Sequence, residues 1–154
     1  MSVYERNRSV SDFEFFSNAL ALRVEVNKIV SSAVPKSHRF TLGVPAATTA
    51  RSVVVNINRA DAFYPNTAFN VRERRRYLTL AIADCEQLCL DFQCIIDMGL
   101  PVRPGRLEAV IECAEREIAL LKGARKNVKL TGKETVEDRI AAIEDELSHL
   151  KAIQ

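Results

Sequence analysis

Apolar residues recur along most of this chain at alternating spacings of three and four, the period that lines one face of an α-helix. The first such run is Phe15, Ala19, Leu22, Val26, Ile29 and Ala33, and it predicts a helix capped by Ser11 or Asp12. Pro35 biases Val34 away from helical backbone, so this helix should end near Ala33. Pro35 is itself suited to open a second helix, where its missing N–H would be unpaired anyway. Gly43-Val44-Pro45 then predicts a kink or a break, with Pro45 restarting a helix through Ala47, Val54, Ile57 and Asp61. Thr48, Thr49 and Val53 to Val55 are weak helix formers. A strand over Ser52–Ile57 is therefore the competing reading, although no other segment offers an obvious partner strand.

Pro65-Asn66 marks a connection from Asp61 to Phe69. Asn70 and Glu73, three apart, resemble a capping box and predict a third helix from about 71 to 98. Its stripe is Leu78, Ala81, Ile82, Cys85, Leu88, Cys89, Phe92, Ile95 and Ile96, and Met98-Gly99 ends it. At 1.5 Å per residue this helix would be roughly 40 Å long, a length suited to a bundle. After Pro101 and Pro104-Gly105, a fourth helix begins near Arg106. It turns Leu107, Val110, Ile111, Ala114, Ile118 and Leu121 inward and pairs Glu112 with Arg116 on its outer face. Thr131-Gly132 reads as a hinge. Beyond it, Val136, Ile140, Ile143, Leu147 and Leu150 form a heptad seam of about two and a half heptads, short for an isolated coiled coil. The expected fold is all-α: an antiparallel up-down four-helix bundle over 11–130, preceded by a disordered N-terminus (1–10) and followed by a C-terminal amphipathic helix (134–154).

With 154 residues, 47% hydrophobic and 27% charged, the chain is long enough for one domain with a substantial core. No apolar run approaches the roughly 20 residues of a membrane span, and the first residues do not resemble a signal peptide. These features predict a cytoplasmic protein with no membrane association. The net charge of +2 conceals a division. Residues 1–133 carry 20 Lys+Arg against 14 Asp+Glu, whereas residues 134–154 carry 2 against 6. A basic body bears an acidic tail.

Little in the sequence points to catalysis. There is no phosphate-cradling glycine loop. The two histidines, His38 and His149, stand outside any Glu-x-x-His arrangement of the kind that builds metal sites in bundles. Cys85, Cys89, Cys94 and Cys113 read as small structural residues, because side chains one helical turn apart seldom reach disulfide geometry. No nucleophile stands beside an activating base. The expectation is a non-enzyme without metal or cofactor.

The basic clusters remain. Arg72, Arg74, Arg75 and Arg76 open the third helix, where the positive end of the helix dipole adds to their mutual repulsion. Lys122, Arg125 and Lys126 close the fourth. In an up-down bundle these two positions share one end of the molecule, so the clusters should merge into one basic pole. Lys36, His38 and Arg39 open the second helix at the opposite end, near Arg103 and Arg106, and form a weaker basic site. Such clusters neutralise phosphates and bind nucleic acid in a salt-dependent way; a solvated charged surface is the alternative. Tyr77 could stack on a base or pack against a neighbouring helix.

From Val34-Pro35-Lys36-Ser37-His38-Arg39-Phe40-Thr41-Leu42-Gly43, through Arg76-Tyr77-Leu78, Ala81, Ala83-Asp84 and Met98-Gly99-Leu100, to Leu121-Lys122-Gly123-Ala124-Arg125-Lys126, the chain resembles a known family. These are the small accessory variability determinants (Avd) encoded beside the reverse transcriptases of diversity-generating retroelements. They belong to a wider group that includes proteins encoded in intervening sequences of large ribosomal RNA. The resemblance spans roughly residues 15–128. It implies a homo-oligomeric ring, a pentamer, that binds RNA or DNA and its partner reverse transcriptase and assists mutagenic complementary-DNA synthesis from a template RNA. It implies no catalysis by the chain itself. Pro45 departs from the family's continuous second helix, and the acidic tail from Glu134 lies outside the shared region. The rival expectation is a homo-oligomeric protein–protein scaffold assembled through the C-terminal helix, without nucleic acid.

Overall fold

A computed structural model describes residues 13–153, and these are helical throughout apart from turns and short connections. Five α-helices follow in order: α1 (Glu14–Ser32), α2 (Val44–Ala62), α3 (Ala68–Asp97), α4 (Pro104–Lys126) and α5 (Val136–Ile153). A 3-10 turn over Lys36–His38 and a π-helical turn over Arg39–Gly43 join α1 to α2. The segment considered as a strand, Ser52–Ile57, is helical because its inward positions meet α3 rather than another extended segment. The expected disorder of residues 1–10 and the Ser11 or Asp12 cap lie outside the described residues.

The regular helical pattern is interrupted before Pro45, as expected, and Pro45 restarts it in the first turn of α2. A widened turn, in which the Val44 N–H donates to the Arg39 carbonyl five residues back, delivers Pro45 into the first turn of α2. A proline tolerates that position because no intrahelical N–H is required there. Gly43 sits where this turn crosses α1: a β-carbon there would lie 2.9 Å from Val30 Cγ1. Gly43→Ala should therefore destabilise the fold by about 1 kcal/mol, overpacking outweighing the helix-propensity gain. In a Val30→Ala background the same change should stabilise, a sign reversal that a double-mutant cycle of denaturation midpoints would detect.

Helix α1 packs on α2 and α4, and α3 packs on α2 and α4. Side-chain contacts tie neighbouring helices together: Arg116 of α4 pairs with Glu14 of α1, and Arg106 of α4 with Glu25 of α1 at 3.1 Å. Likewise Asn56 of α2 donates to Asp84 of α3 at 2.7 Å, and Arg74 of α3 meets Asp61 of α2 at 3.8 Å. The expected Glu112–Arg116 pair is not formed, because Arg116 turns to Glu14 instead.

The core has two clusters. One, nearer the α1–α2 connection, includes Leu22, Ile29, Ala46, Ala50, Leu88, Phe92, Ile95 and Val110; the other includes Phe16, Val53, Ile57, Leu78, Ile82, Cys85 and Leu121. Phe16 rather than Phe15 is the buried aromatic of α1. In α2 the inward face is Ala46, Ala50, Val53, Ile57 and Ala60, so Ala47, Val54 and Asp61 sit at its margins. Of the cysteines, Cys85 is buried, Cys89 and Cys113 are half-buried, and Cys94 is exposed.

Between the two clusters lies a polar layer that no apolar pattern predicted. Glu117 is fully buried on the inward face of α4. Asn18 Nδ2 donates to its Oε2 at 2.7 Å, and the Cys113 thiol donates to Asn18 Oδ1 at 3.5 Å. Glu117 Oε1 has no hydrogen-bond partner. Burial pushes the Glu117 carboxyl up to about 7, the Asn18 bond opposing this only in part.

Candidate nucleic-acid interface

Helix α3 begins earlier than the Asn70–Glu73 pattern suggested. Thr67 is its N-cap, accepting from the Asn70 N–H at 3.1 Å, while the Asn70 side chain donates to the Tyr64 carbonyl and to Asn66 Oδ1. Arg72, Arg74, Arg75 and Arg76 therefore occupy the second and third turns, beyond the first-turn N–H groups where the dipole acts most strongly. The anion at that N-terminus comes from the tail: Glu134 Oε1 accepts from the Ala68 N–H at 2.9 Å.

The four arginines have separate tasks. Arg74 donates to the Phe63 carbonyl at 3.2 Å and pairs with Asp61, fastening the α2–α3 connection. Arg75 donates to the Val128 carbonyl at 2.7 Å, just past the end of α4. Carbonyls at and beyond a helix end lack intrahelical donors, and a guanidinium is well suited to supply them. Arg76 pairs with Glu73 at 2.9 Å and lies 4.4 Å from the Tyr77 ring centroid. Arg72 lies over Phe69 and faces Asp145 and Glu146 of α5 at 3.7 and 3.5 Å.

The arginine-bearing turns of α3 and the end of α4 do come together, since Arg75 reaches the Val128 carbonyl and Arg125 donates to Thr79 Oγ1 at 3.1 Å. Lys122 and Lys126 are exposed beside it and hold no ion pair among the described residues. Two further cations belong to this end that the sequence reading left out of the pole. Arg59, in the last turn of α2, lies 6.0 Å from the Tyr77 ring, and Lys129 is exposed after α4. Tyr77 is stacked on Phe63 at 5.7 Å, so its ring serves packing between α2 and α3. A cavity of about 750 Å³ opens at the same end, bounded by Phe13, Phe15, Tyr64, Arg74 and Lys129 among others.

The second basic site is weaker than the sequence suggested. Arg39 donates to the carbonyls of Ser31 and Val34, at 2.9 and 3.2 Å, and so closes the C-terminal end of α1. Arg106 is held by Glu25. Lys36 is exposed and His38 half-buried on the 3-10 turn, beside Phe40, which is 86% exposed.

Among the described residues no helix is long and apolar enough to cross a membrane. Comparison with protein-family models and with curated proteins finds no match to this chain.

Proposed function

We propose that this chain is a nucleic-acid-binding accessory protein of a reverse transcriptase, an up-down four-helix bundle that assists mutagenic complementary-DNA synthesis in a diversity-generating retroelement and performs no catalysis itself. The observation that carries the nucleic-acid reading is the cationic end where α2, α3 and α4 meet. Arg72, Arg76, Lys122, Arg125 and Lys126 gather there with exposed Lys129 and an aromatic-bordered cavity, the combination of charge and rings that suits single strands. The retroelement, the partner reverse transcriptase and assembly as a pentamer rest on the resemblance from Val34 to Lys126, and the cytoplasmic setting on the lack of an apolar run long enough to span a membrane. Lys36 and His38 form a secondary contact in this reading. Arg74, Arg75 and Arg39 act as fasteners of the backbone.

The test is a variant carrying Arg72→Gln, Arg76→Gln, Lys122→Gln and Lys126→Gln, titrated against a mixed-sequence single-stranded RNA by fluorescence anisotropy over a range of salt. At about 0.7–0.9 per lost phosphate contact, the slope of log affinity against log salt should fall by roughly three. An unchanged affinity and slope in the folded variant would sink the reading. Ending the chain after Lys133 should act in the opposite direction. It removes Glu134 from the α3 N-terminus and Asp145 and Glu146 from Arg72. The truncated protein should bind RNA more tightly, with a steeper salt slope; equal binding would show that these acidic groups do not compete with phosphate.

A further inference from the structure

Helix α5 is an amphipathic helix whose apolar face no other described residue covers. Val136, Ile140, Ile143, Leu147 and Leu150 are 50–72% exposed. The body touches another side of the helix, where Ala142 is half-buried and Asp145 and Glu146 face Arg72. A capping box secures the start of α5: Asp138 Oδ2 accepts from the Thr135 N–H and Thr135 Oγ1 accepts from the Asp138 N–H, at 3.2 and 3.1 Å. A well-formed helix is thus presented with its seam open to solvent.

We infer that this seam pairs with α5 of further copies of the same chain, as a parallel coiled coil. The spacings of four and three place Ile140 and Leu147 at heptad position a, and Val136, Ile143 and Leu150 at d. The flanking positions decide the partner and its direction. Arg139 and Glu146 then occupy g, and Glu137, Glu144 and Lys151 occupy e. Between parallel strands in register, each g residue faces the e residue five positions on in the neighbouring strand. Arg139 meets the partner's Glu144, and Glu146 meets the partner's Lys151, so every such pair is attractive. An antiparallel pair overlapping along the whole helix instead sets Glu144 against the partner's Glu144 and Glu146 against the partner's Glu146, repulsions that its attractive contacts, Glu137 with the partner's Lys151, only offset. Charge complementarity therefore selects a second copy of this helix, and selects parallel over antiparallel.

A helix of 18 residues is marginal as an isolated coiled coil, so association should depend on protein concentration. The inference is independent of nucleic-acid binding, and its test uses nuclease-treated protein in the full chain. Light scattering over 1–100 µM is expected to show assembly to two or more copies. Ile143→Asp with Leu147→Asp should shift the association midpoint to at least tenfold higher concentration. Both side chains are exposed in the single chain, so this variant should keep its helical circular dichroism. Arg139→Glu should also weaken assembly, and adding Glu144→Arg should restore it. In a Cys94→Ser background, Ile143→Cys should form a disulfide-linked dimer under mild oxidation, because parallel d positions face one another. A monomeric full chain, assembly indifferent to the two seam substitutions, or an Ile143→Cys variant that does not cross-link would each overturn the proposal.

Discussion

Replacing Phe92 with alanine should lower the free energy of unfolding by about 3–5 kcal/mol, the largest effect expected of any single substitution here. Phe92 is fully buried in the core cluster to which α1, α2, α3 and α4 all contribute. Around that cluster several inward positions are small: Ala46 and Ala50 on α2 and Ala114 on α4. None of them is long enough to move into the cavity that Phe92→Ala would create, so the cost should fall toward the upper part of the range. Small proteins are stable by about 5–15 kcal/mol, and this one substitution would remove a large fraction. Urea denaturation followed by circular dichroism measures it. A loss below about 1 kcal/mol would mean that the helices close around the vacancy and that the cluster is more plastic than its burial indicates.

The second large effect concerns pH. Glu117 is raised from 4.5 to about 7 by burial. Below 4.5 both the folded and unfolded chains hold its proton. Between 4.5 and about 7 the unfolded chain releases the proton while the folded chain keeps it, so stability falls as pH rises through this window. Above about 7 the folded state carries a buried carboxylate with one oxygen unpartnered, and the loss levels off on the order of 3 kcal/mol. Glu117→Gln keeps the shape and can still accept from Asn18, but cannot ionise. The variant should match the parent at about pH 4 and exceed it by about 2–3 kcal/mol at about pH 8. Denaturation midpoints at the two pH values provide the check. Equal destabilisation at both would show that the carboxylate is needed for something other than its charge. The Cys85 thiol, raised chiefly by its own burial and secondarily by Glu117, stays protonated across this range and does not add to the slope.

Glu117 also shows where a reading of the sequence stops. Val110, Ala114, Glu117 and Leu121 follow one another at spacings of four, three and four, so the helical period places Glu117 inward. Reading by hydrophobicity alone assigned that place to Ile118, because a charged residue is ordinarily expected in solvent. What makes Glu117 tolerable there is Asn18, which lies 99 residues earlier in the chain. No local pattern carries that information. The start of α3 fails for a related reason. Asn70 and Glu73 have the spacing of a cap, but Thr67 is followed by the residues that pack against α2, and packing chose the earlier start. The Thr135–Asp138 capping box, by contrast, has the plain spacing of its kind, and that spacing is visible in the sequence alone.

The sequence by itself determined that the chain forms helices, roughly where each begins and ends, and that a basic body carries an acidic tail. These are local properties: side-chain period, proline and glycine placement, and charge count do not depend on what lies across the fold. Only the tertiary structure decided what each arginine does. Arg74, Arg75 and Arg39 look the same in sequence as Arg72 and Arg76, yet they are bound to backbone carbonyls at helix ends and connections, and Arg72 faces the acidic side of α5. Helix packing chose among them, because a carbonyl without an intrahelical donor takes the nearest guanidinium, and nearness is fixed by how distant segments pack.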